Sequence, residues 1–146
     1  MNLRRTIHLI LTSPSRALHR RGFGVQSPWA YELVRDVLFE HAAYYAYQEQ
    51  HLDTHLQQQL FRIRNHYRGH PILLIDEKGP AAENRYDTLI THITPDSILI
   101  VEHTHNENAD LWDRIVADPR AIITFDMGQR GMVTFDPKRI KQNYLL

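Results

Sequence analysis

Two short apolar runs decide the fold that we expect for this chain: Ile72-Leu73-Leu74-Ile75, followed by Asp76, and Ser97-Ile98-Leu99-Ile100-Val101, followed by Glu102. Short apolar runs of this kind are typical of strands that are covered on both faces, as in a parallel sheet. Between the runs, Gly79-Pro80 opens a segment whose apolar residues follow helical spacing. This stretch therefore predicts a strand–helix–strand unit.

The pattern continues downstream in the same way. Asn106 is expected to cap a helix that runs to Val116 and stops before Pro119. Two further strands are expected at 121–125 and 132–135, joined as a hairpin by the short connection at 128–131. The order β-α-β-α-β-β predicts an α/β domain with a four-stranded mixed sheet.

Upstream of this sheet the periodicity is helical. A short helix is expected over residues 2–12, and Ser27 and Pro28 are typical of the cap and first residue of another. A long helix is expected over 45–68, where apolar residues follow one stripe. We therefore expect a single domain over 1–146, with a helical part at 1–70 and a sheet part at 71–146.

Composition excludes several classes of protein. The chain has 146 residues, 17 Lys and Arg against 17 Asp and Glu, and no Cys, so it has neither a disulfide framework nor a cysteine nucleophile. The balanced charge offers no general attraction to nucleic acid or to an anionic membrane. No apolar run approaches the about 20 residues of a membrane-spanning helix. A cytoplasmic protein that binds neither membrane nor nucleic acid is the expectation.

The second half resembles the C-terminal half of a class I S-adenosylmethionine-dependent methyltransferase, a Rossmann-like fold. Residues 72–76 look like its fourth strand, 97–102 like its fifth, and 121–126 and 131–136 like its final antiparallel pair. The resemblance implies the strand order 1-2-4-3. A bacterial methyltransferase-like group with a GxHSPF lead-in is similar in three more places, which are Gly22-Phe23-Gly24-Val25-Gln26-Ser27-Pro28-Trp29, Tyr44-Tyr45-Ala46-Tyr47 and Lys138-Arg139-Ile140-Lys141-Gln142-Asn143.

The chain departs from that family where the cofactor would bind. Such enzymes hold the cofactor on a glycine-rich loop after their first strand, because the backbone must approach the ligand closely and turn into a helix. The chain has six glycines, and its single GxG, at 22–24, follows a basic stretch and not a strand. Between Tyr67 and Pro71 there is room only for a turn. We therefore expect a methyltransferase-related protein that has lost S-adenosylmethionine binding and acts as a non-catalytic interaction module.

Two enzymatic alternatives stay open. An active methyltransferase with an unusual or partner-completed S-adenosylmethionine site would use Asp76 and Glu102, which follow two parallel strands at the edge where α/β sheets bind ligands. A small metal-dependent hydrolase would instead use Asp76, His103 and His105, because two imidazoles and a carboxylate suit Zn²⁺. Solvated loop residues are the simpler interpretation of all four side chains.

Other polar groups carry simpler interpretations. His51 and His55 have the spacing of a metal-binding pair on one helix, although a surface pair is the commoner outcome. Arg16, Arg20 and Arg21 could hold a phosphate or an RNA backbone. Residues 1–70 carry nine Lys and Arg against five Asp and Glu, while residues 71–146 carry eight against twelve. A solvated basic loop, or a basic loop docked on the acidic second half, is therefore the preferred interpretation of these arginines.

The missing first-strand neighbour predicts an open sheet edge at Ile72–Ile75. An apolar edge strand presents unpaired main-chain groups that invite pairing with another chain. We therefore expect a homodimer in which Ile72–Ile75 pairs antiparallel across a two-fold axis or is sealed by the partner's N-terminal helices.

Overall fold

A computed structural model of the protein describes residues 14, 16, 17, 19, 20, 25 and 27–146. The expected helix at 2–12 and the GxG at 22–24 lie outside the described residues. The chain divides into two compact units, one of which contains Ala17–Gly69, and the other Met1–Arg16 together with His70–Leu146. Among the described residues no helix is long and apolar enough to cross a membrane.

The first unit, Ala17–Gly69, is helical. Helix α1 (Pro28–Leu33) begins as expected, with the Ser27 hydroxyl accepting a hydrogen bond from the Ala30 amide and Pro28 at the first position. It continues directly into a π-helix, Val34–Leu38. Helices α2 (Tyr45–Glu49) and α3 (His55–His66) follow. The apolar residues buried in these elements include Leu33, Val34, Val37, Leu38, Tyr47 and Ile63.

The prediction of a single long helix over 45–68 is wrong, because a capping box starts a new helix in the middle of this range. The Thr54 hydroxyl accepts a hydrogen bond from the Gln57 amide, and the Gln57 side chain accepts one from the Thr54 amide. Before this box, His51 has a φ of 52°, which no helix can continue through. His51 therefore lies outside α3 and His55 is its first residue, so the two do not form an i, i+4 pair on one helix.

The second unit is an α/β sandwich built on one mixed sheet. Its strands are β1 (Ile72–Ile75), β2 (Ile98–Glu102), β3 (Ile123–Asp126), β4 (Arg130–Thr134) and β5 (Gln142–Leu145). The sheet order is β1-β2-β4-β3-β5. The pairs β1–β2 and β3–β5 are parallel, whereas β4 runs antiparallel to both of its neighbours.

Two helices of this unit pack against the sheet. Helix α4 (Pro80–Leu89) ends in a 3₁₀ turn, Ile90–His92, and α5 (Ala109–Ala117) leads into β3. They bury apolar side chains against one face of the sheet in a single cluster that includes Ala82, Tyr86, Leu111, Trp112, Ile115, Ile75, Leu99, Val101 and Val133. Burying such side chains contributes roughly 1.5–3 kcal/mol each to stability.

The structure confirms the α/β class and the order of the four expected strands, and it corrects two details. The sheet has five strands and not four, because Gln142–Leu145 adds a strand beside β3. The cap of α5 is Asn108 and not Asn106, so that helix begins at Ala109. The Asn108 side chain is held by main-chain groups of two neighbouring loops, and this moves the start of the helix by two residues.

Candidate functional site

Several polar side chains of the second unit lie at the carboxyl edge of the sheet, where four of its strands end. Because β1, β2, β3 and β5 run in the same direction, their carboxyl ends share this edge, and β4 begins there. Asp76, the loop 102–108, Asp126 and Leu146 all lie just at or past these strand ends. This is the edge at which α/β sheets bind ligands.

Asp126, at the end of β3, is the centre of this edge. Its two carboxylate oxygens lie 2.9 and 2.8 Å from Nε2 of His105. The Arg16 guanidinium donates to the same oxygens at 3.2 and 3.4 Å, and the Gly128 amide donates to one of them at 2.9 Å. The Asp126 side chain is 9% exposed, so these donors replace the water that a free carboxylate would bind.

Arg16 reaches this site from far away in the sequence. Beyond the Asp126 carboxylate, its guanidinium donates to the main-chain oxygens of Asp126, at 3.3 Å, and of Leu146, at 3.1 Å. Its side chain is only 4% exposed. Of the two alternatives for this basic loop, Arg16 thus fits a contact with the second half of the chain and not a solvated position, whereas Arg21 lies outside the described residues.

The environment of Asp126 keeps its carboxyl ionised. Burial alone would raise the pKa of Asp126, but the hydrogen bonds from His105 and Arg16 outweigh burial and lower the pKa to about 2. The buried carboxylate thus forms an ion pair with Arg16 and also accepts a hydrogen bond from His105. Removing either Asp126 or Arg16 leaves the other charge buried without that ion pair.

The second ring nitrogen of His105, Nδ1, takes no part in this network. Nδ1 is buried and has no hydrogen-bond partner among the described residues. A general base needs a nitrogen within hydrogen-bond reach of the group that it deprotonates. Because Nε2 is held by Asp126 and Nδ1 is closed off from solvent, the imidazole has the geometry of a structural bridge.

Glu102, at the end of β2, is also engaged. It lies directly opposite Arg130 of β4, and one of its oxygens accepts from Nε of Arg130 at 2.7 Å. Both side chains are largely buried, at 13% and 5% exposure. Glu102 therefore serves as one half of a cross-strand ion pair.

The loop after β2 is held rigidly by two residues. His103 has a φ of 60°, which is uncommon for a residue with a side chain, and its carbonyl accepts from the amides of Asn106 and Asn108. The Asn108 side chain donates to the carbonyls of Glu77 and Glu102 and accepts from the Gly79 amide. This amide ties the loop after β1 to the loop after β2.

The residues predicted from sequence therefore divide into different environments. Asp76 is exposed, His103 lies 3.9 Å from a carboxylate oxygen of Glu107, and His105 is bound to Asp126. Among the described residues no group of three His, Asp or Glu side chains is placed to hold a metal ion. Asp76, His103 and His105 thus do not form the metal site that a hydrolase would require.

Sequence reasoning missed Asp126, Arg16, Arg130 and Asn108 as residues of this edge. Asp126 could have been found, because it follows an apolar run in the same way as Asp76 and Glu102. Arg16 could not, because nothing local connects it to a residue that lies 110 positions further along the chain.

The helical unit has a cavity of its own. It has a volume of about 600 Å³ and lies beside the π-helix, with Arg20, Arg35, Phe39 and His41 among its lining residues. The Arg20 guanidinium stacks over the Phe39 ring at 5.1 Å, and Arg35 is held by Asp36. Both arginines of this cavity thus make contacts within their own unit.

Comparisons of the chain with protein-family models, with curated proteins and with solved structures find no match.

Proposed function

We propose that this chain is a methyltransferase-related assembly module that does not catalyse a reaction and that pairs with a second chain through β1. The observation that carries the proposal is the position of β1 in the sheet. It lies at the end of the order β1-β2-β4-β3-β5, so among the described residues it has a strand neighbour on one side only. Its four residues are all apolar. A strand of this kind is a template for pairing with another chain.

The opposite edge of the sheet differs in a way that supports this choice. Among the described residues β5 is the strand at the other side of the sheet, and its sequence Gln142-Asn143-Tyr144-Leu145 is largely polar and exposed. Lys141 directly precedes it. Polar side chains and lysines at an edge strand oppose pairing between sheets. The two edges are therefore unequal, and β1 is the one suited to association.

Two acidic side chains at the carboxyl edge of the sheet are already held in ion pairs, and this supports the non-catalytic part of the proposal. Glu102 is bound by Arg130, and Asp126 by His105 and Arg16, all with little exposure. A ligand that needed these acids would first have to break buried ion pairs, each of which costs about 3–5 kcal/mol to leave half unpaired. Their geometry favours a structural role.

Association is tested by sedimentation velocity on the full chain, whose monomer mass is 17.2 kDa. At about 50 µM, a concentration that populates complexes of ~6–8 kcal/mol, we expect twice the monomer mass. The variant Leu74→Lys, which places a charge in the middle of β1, should sediment as a monomer. Ile140→Lys is the matched control, because Ile140 is apolar and 85% exposed but lies outside the strands. Wild-type protein that sediments at the monomer mass would contradict the proposal.

An active methyltransferase is the second candidate, and the exposure of Asp76 favours it. Asp76 follows β1 at the ligand-binding edge and has no ion-pair partner among the described residues. Calorimetric titration with S-adenosylmethionine and with S-adenosylhomocysteine separates the two candidates. Heat of binding that saturates below about 1 mM and that is lost in Asp76→Ala would establish a cofactor site, whereas no heat up to that concentration would exclude it.

A further inference from the structure

The main-chain groups of β1 that face away from the sheet can be identified from one hydrogen bond. The Ile98 amide donates to the Pro71 carbonyl, and Ile72 is paired with Ile98 in a parallel ladder. In such a ladder the N–H and C=O groups of alternate residues point to the neighbouring strand. Pro71, Leu73 and Ile75 therefore face β2, while the main-chain groups of Ile72 and Leu74 point to the free edge.

The alternation of main-chain groups between β2 and the free edge restricts how two copies of β1 can pair. A two-fold axis between two edge strands makes them antiparallel, and each hydrogen-bonded pair must join residues whose main-chain groups both point outward. Centring the axis on Leu73 places Ile72 opposite Leu74 of the partner subunit, and Leu74 opposite Ile72 of the partner subunit. Both outward-facing residues of the strand are then satisfied, in two hydrogen-bonded pairs.

The residues that flank β1 distinguish this register from its neighbours. With the axis at Leu73, His70 lies opposite Asp76 of the partner subunit at each end of the ladder. Moving the axis to Leu74 places Asp76 opposite Ile72, and moving it to Ile72 places His70 opposite Leu74. Only the register centred on Leu73 pairs an apolar residue with an apolar one throughout β1 and a basic residue with an acidic one beyond it.

Pro71 is compatible with this arrangement as well. Proline lacks an N–H donor and is confined in sheets to positions where that donor is not needed. Pro71 faces β2, to which it contributes its carbonyl, so it leaves no unmet bond on the free edge. His70 and Asp76 are both exposed in the described chain, and the His70 ring is anchored through Nδ1, 2.9 Å from the Asp96 carbonyl oxygen.

We propose that two copies of this chain pair through β1 in the single antiparallel register centred on Leu73, flanked by His70 and Asp76 of opposite subunits. This inference rests on the proposed function and adds to it the partner strand, the register and the residues that specify it. The hydrogen bonds and apolar contacts supply the affinity. The exposed His70–Asp76 pairs contribute little energy but select the register.

The absence of cysteine from the chain allows a direct test by disulfide trapping. In this register the two Leu73 residues form a non-hydrogen-bonded antiparallel pair, with their Cα atoms about 4.5 Å apart, which a disulfide can bridge. The two Ile72 residues, and likewise the two Leu74 residues, lie beyond the about 7 Å limit for a disulfide. Under mild oxidation we therefore expect a covalent dimer from Leu73→Cys and none from Ile72→Cys or Leu74→Cys.

The possible outcomes test the register separately from dimerisation. A dimer by sedimentation that is trapped through Leu74→Cys or Ile72→Cys, or through none of the three, overturns the register and leaves the proposed function standing. A wild-type monomer overturns both. Because Leu73 packs on the core, circular dichroism must first show that Leu73→Cys is folded.

A second set of variants tests the register without altering β1. Asp76→Lys places a cation opposite His70 in both pairs, and it should weaken dimerisation about fivefold. The double variant His70→Asp with Asp76→Lys exchanges the charges and should restore wild-type affinity. Failure of the exchange to restore affinity would show that these residues do not face each other.

Discussion

Both carboxylate oxygens of Asp126 contact one nitrogen of His105, at 2.9 and 2.8 Å, while Arg16 approaches the same two oxygens with its guanidinium. One acid thus joins the segment that precedes the helical unit to the loop after β2. We expect the stability of the protein to depend on this contact, on the strained backbone at His103 and on the close packing at Gly131.

Replacing Asp126 by Asn should destabilise the protein by about 3 kcal/mol at neutral pH, because the buried Arg16 guanidinium would lose its ion pair with the Asp126 carboxylate. The change can be measured by urea unfolding monitored by circular dichroism. Asp53→Asn, at an exposed position outside the helices and strands, is the control and should change stability by less than about 0.5 kcal/mol. An equally small effect at Asp126 would contradict the network that we describe.

The Asp126 carboxyl should also affect how steeply the free energy of unfolding falls at acidic pH. Its pKa is about 2 in the folded chain and about 3.9 in an unfolded one, so the folded state binds its proton less readily. Its contribution is therefore complete above pH ~4 and is lost as the pH falls from about 4 to about 2. Urea unfolding across this range should show a steeper loss for wild-type protein than for Asp126→Asn. Parallel curves would rule out this assignment.

Replacing His103 by Gly should stabilise the protein by about 1 kcal/mol, because a residue with a Cβ is strained at a φ of 60° and glycine is not. Thermal unfolding measures the gain as a raised midpoint. His92→Gly is the control at a 3₁₀ position with ordinary backbone geometry, and there the change should be destabilising. A lowered midpoint for His103→Gly would show that its side chain contributes more than the strain costs.

Replacing Gly131 by Ala should cost about 1–3 kcal/mol through overpacking. A Cβ at this position would lie 2.8 Å from Cζ2 of Trp112, and nearer still to Cζ3 and Cη2, inside the distance at which atoms repel. The double variant with Trp112→Leu should show a favourable coupling energy in a double-mutant cycle. Strictly additive effects would mean that the indole ring moves aside freely.

In the helical unit, Arg62→Met should weaken the end of the π-helix. The Arg62 guanidinium donates to the Val37 and Leu38 carbonyls at 2.6 and 3.1 Å, and such charged hydrogen bonds contribute about 1.5–3 kcal/mol. Hydrogen exchange of the amides in α1 and the π-helix should become faster. Arg64→Met, at an exposed position of the same helix, is the control and should leave exchange unchanged.

The sequence predicts most of the sheet because four of its strands contain short runs rich in apolar residues, which is a local signal. Strand β5 has no such signal. Its residues are mostly polar, and it forms because its main chain pairs with β3, as in the bond from the Gln142 amide to the Ile122 carbonyl. Pairing of this kind depends on a partner strand and leaves little trace in side-chain pattern.

The candidate site was predictable in position but not in its contacts. The ends of two apolar runs place Glu102 and His105 at the correct edge of the sheet. Their partners depend on the register, since Arg130 faces Glu102 only because β4 pairs antiparallel with β2. Arg16 depends on a contact across most of the chain. For the same reason, the local sequence does not show that the partner of His105 is Asp126.

The polar character of β5 has a consequence for how large an assembly can become. A chain in which both edge strands could pair with other copies would polymerise into fibres. Here one edge carries Ile72–Ile75, while the other carries Gln142–Leu145 behind Lys141. In the dimer that we propose, two apolar edges meet across a two-fold axis, and among the described residues the outermost strands of the joined sheet are both polar. Growth would then stop at two copies, so the unequal ends of a single sheet would set the stoichiometry.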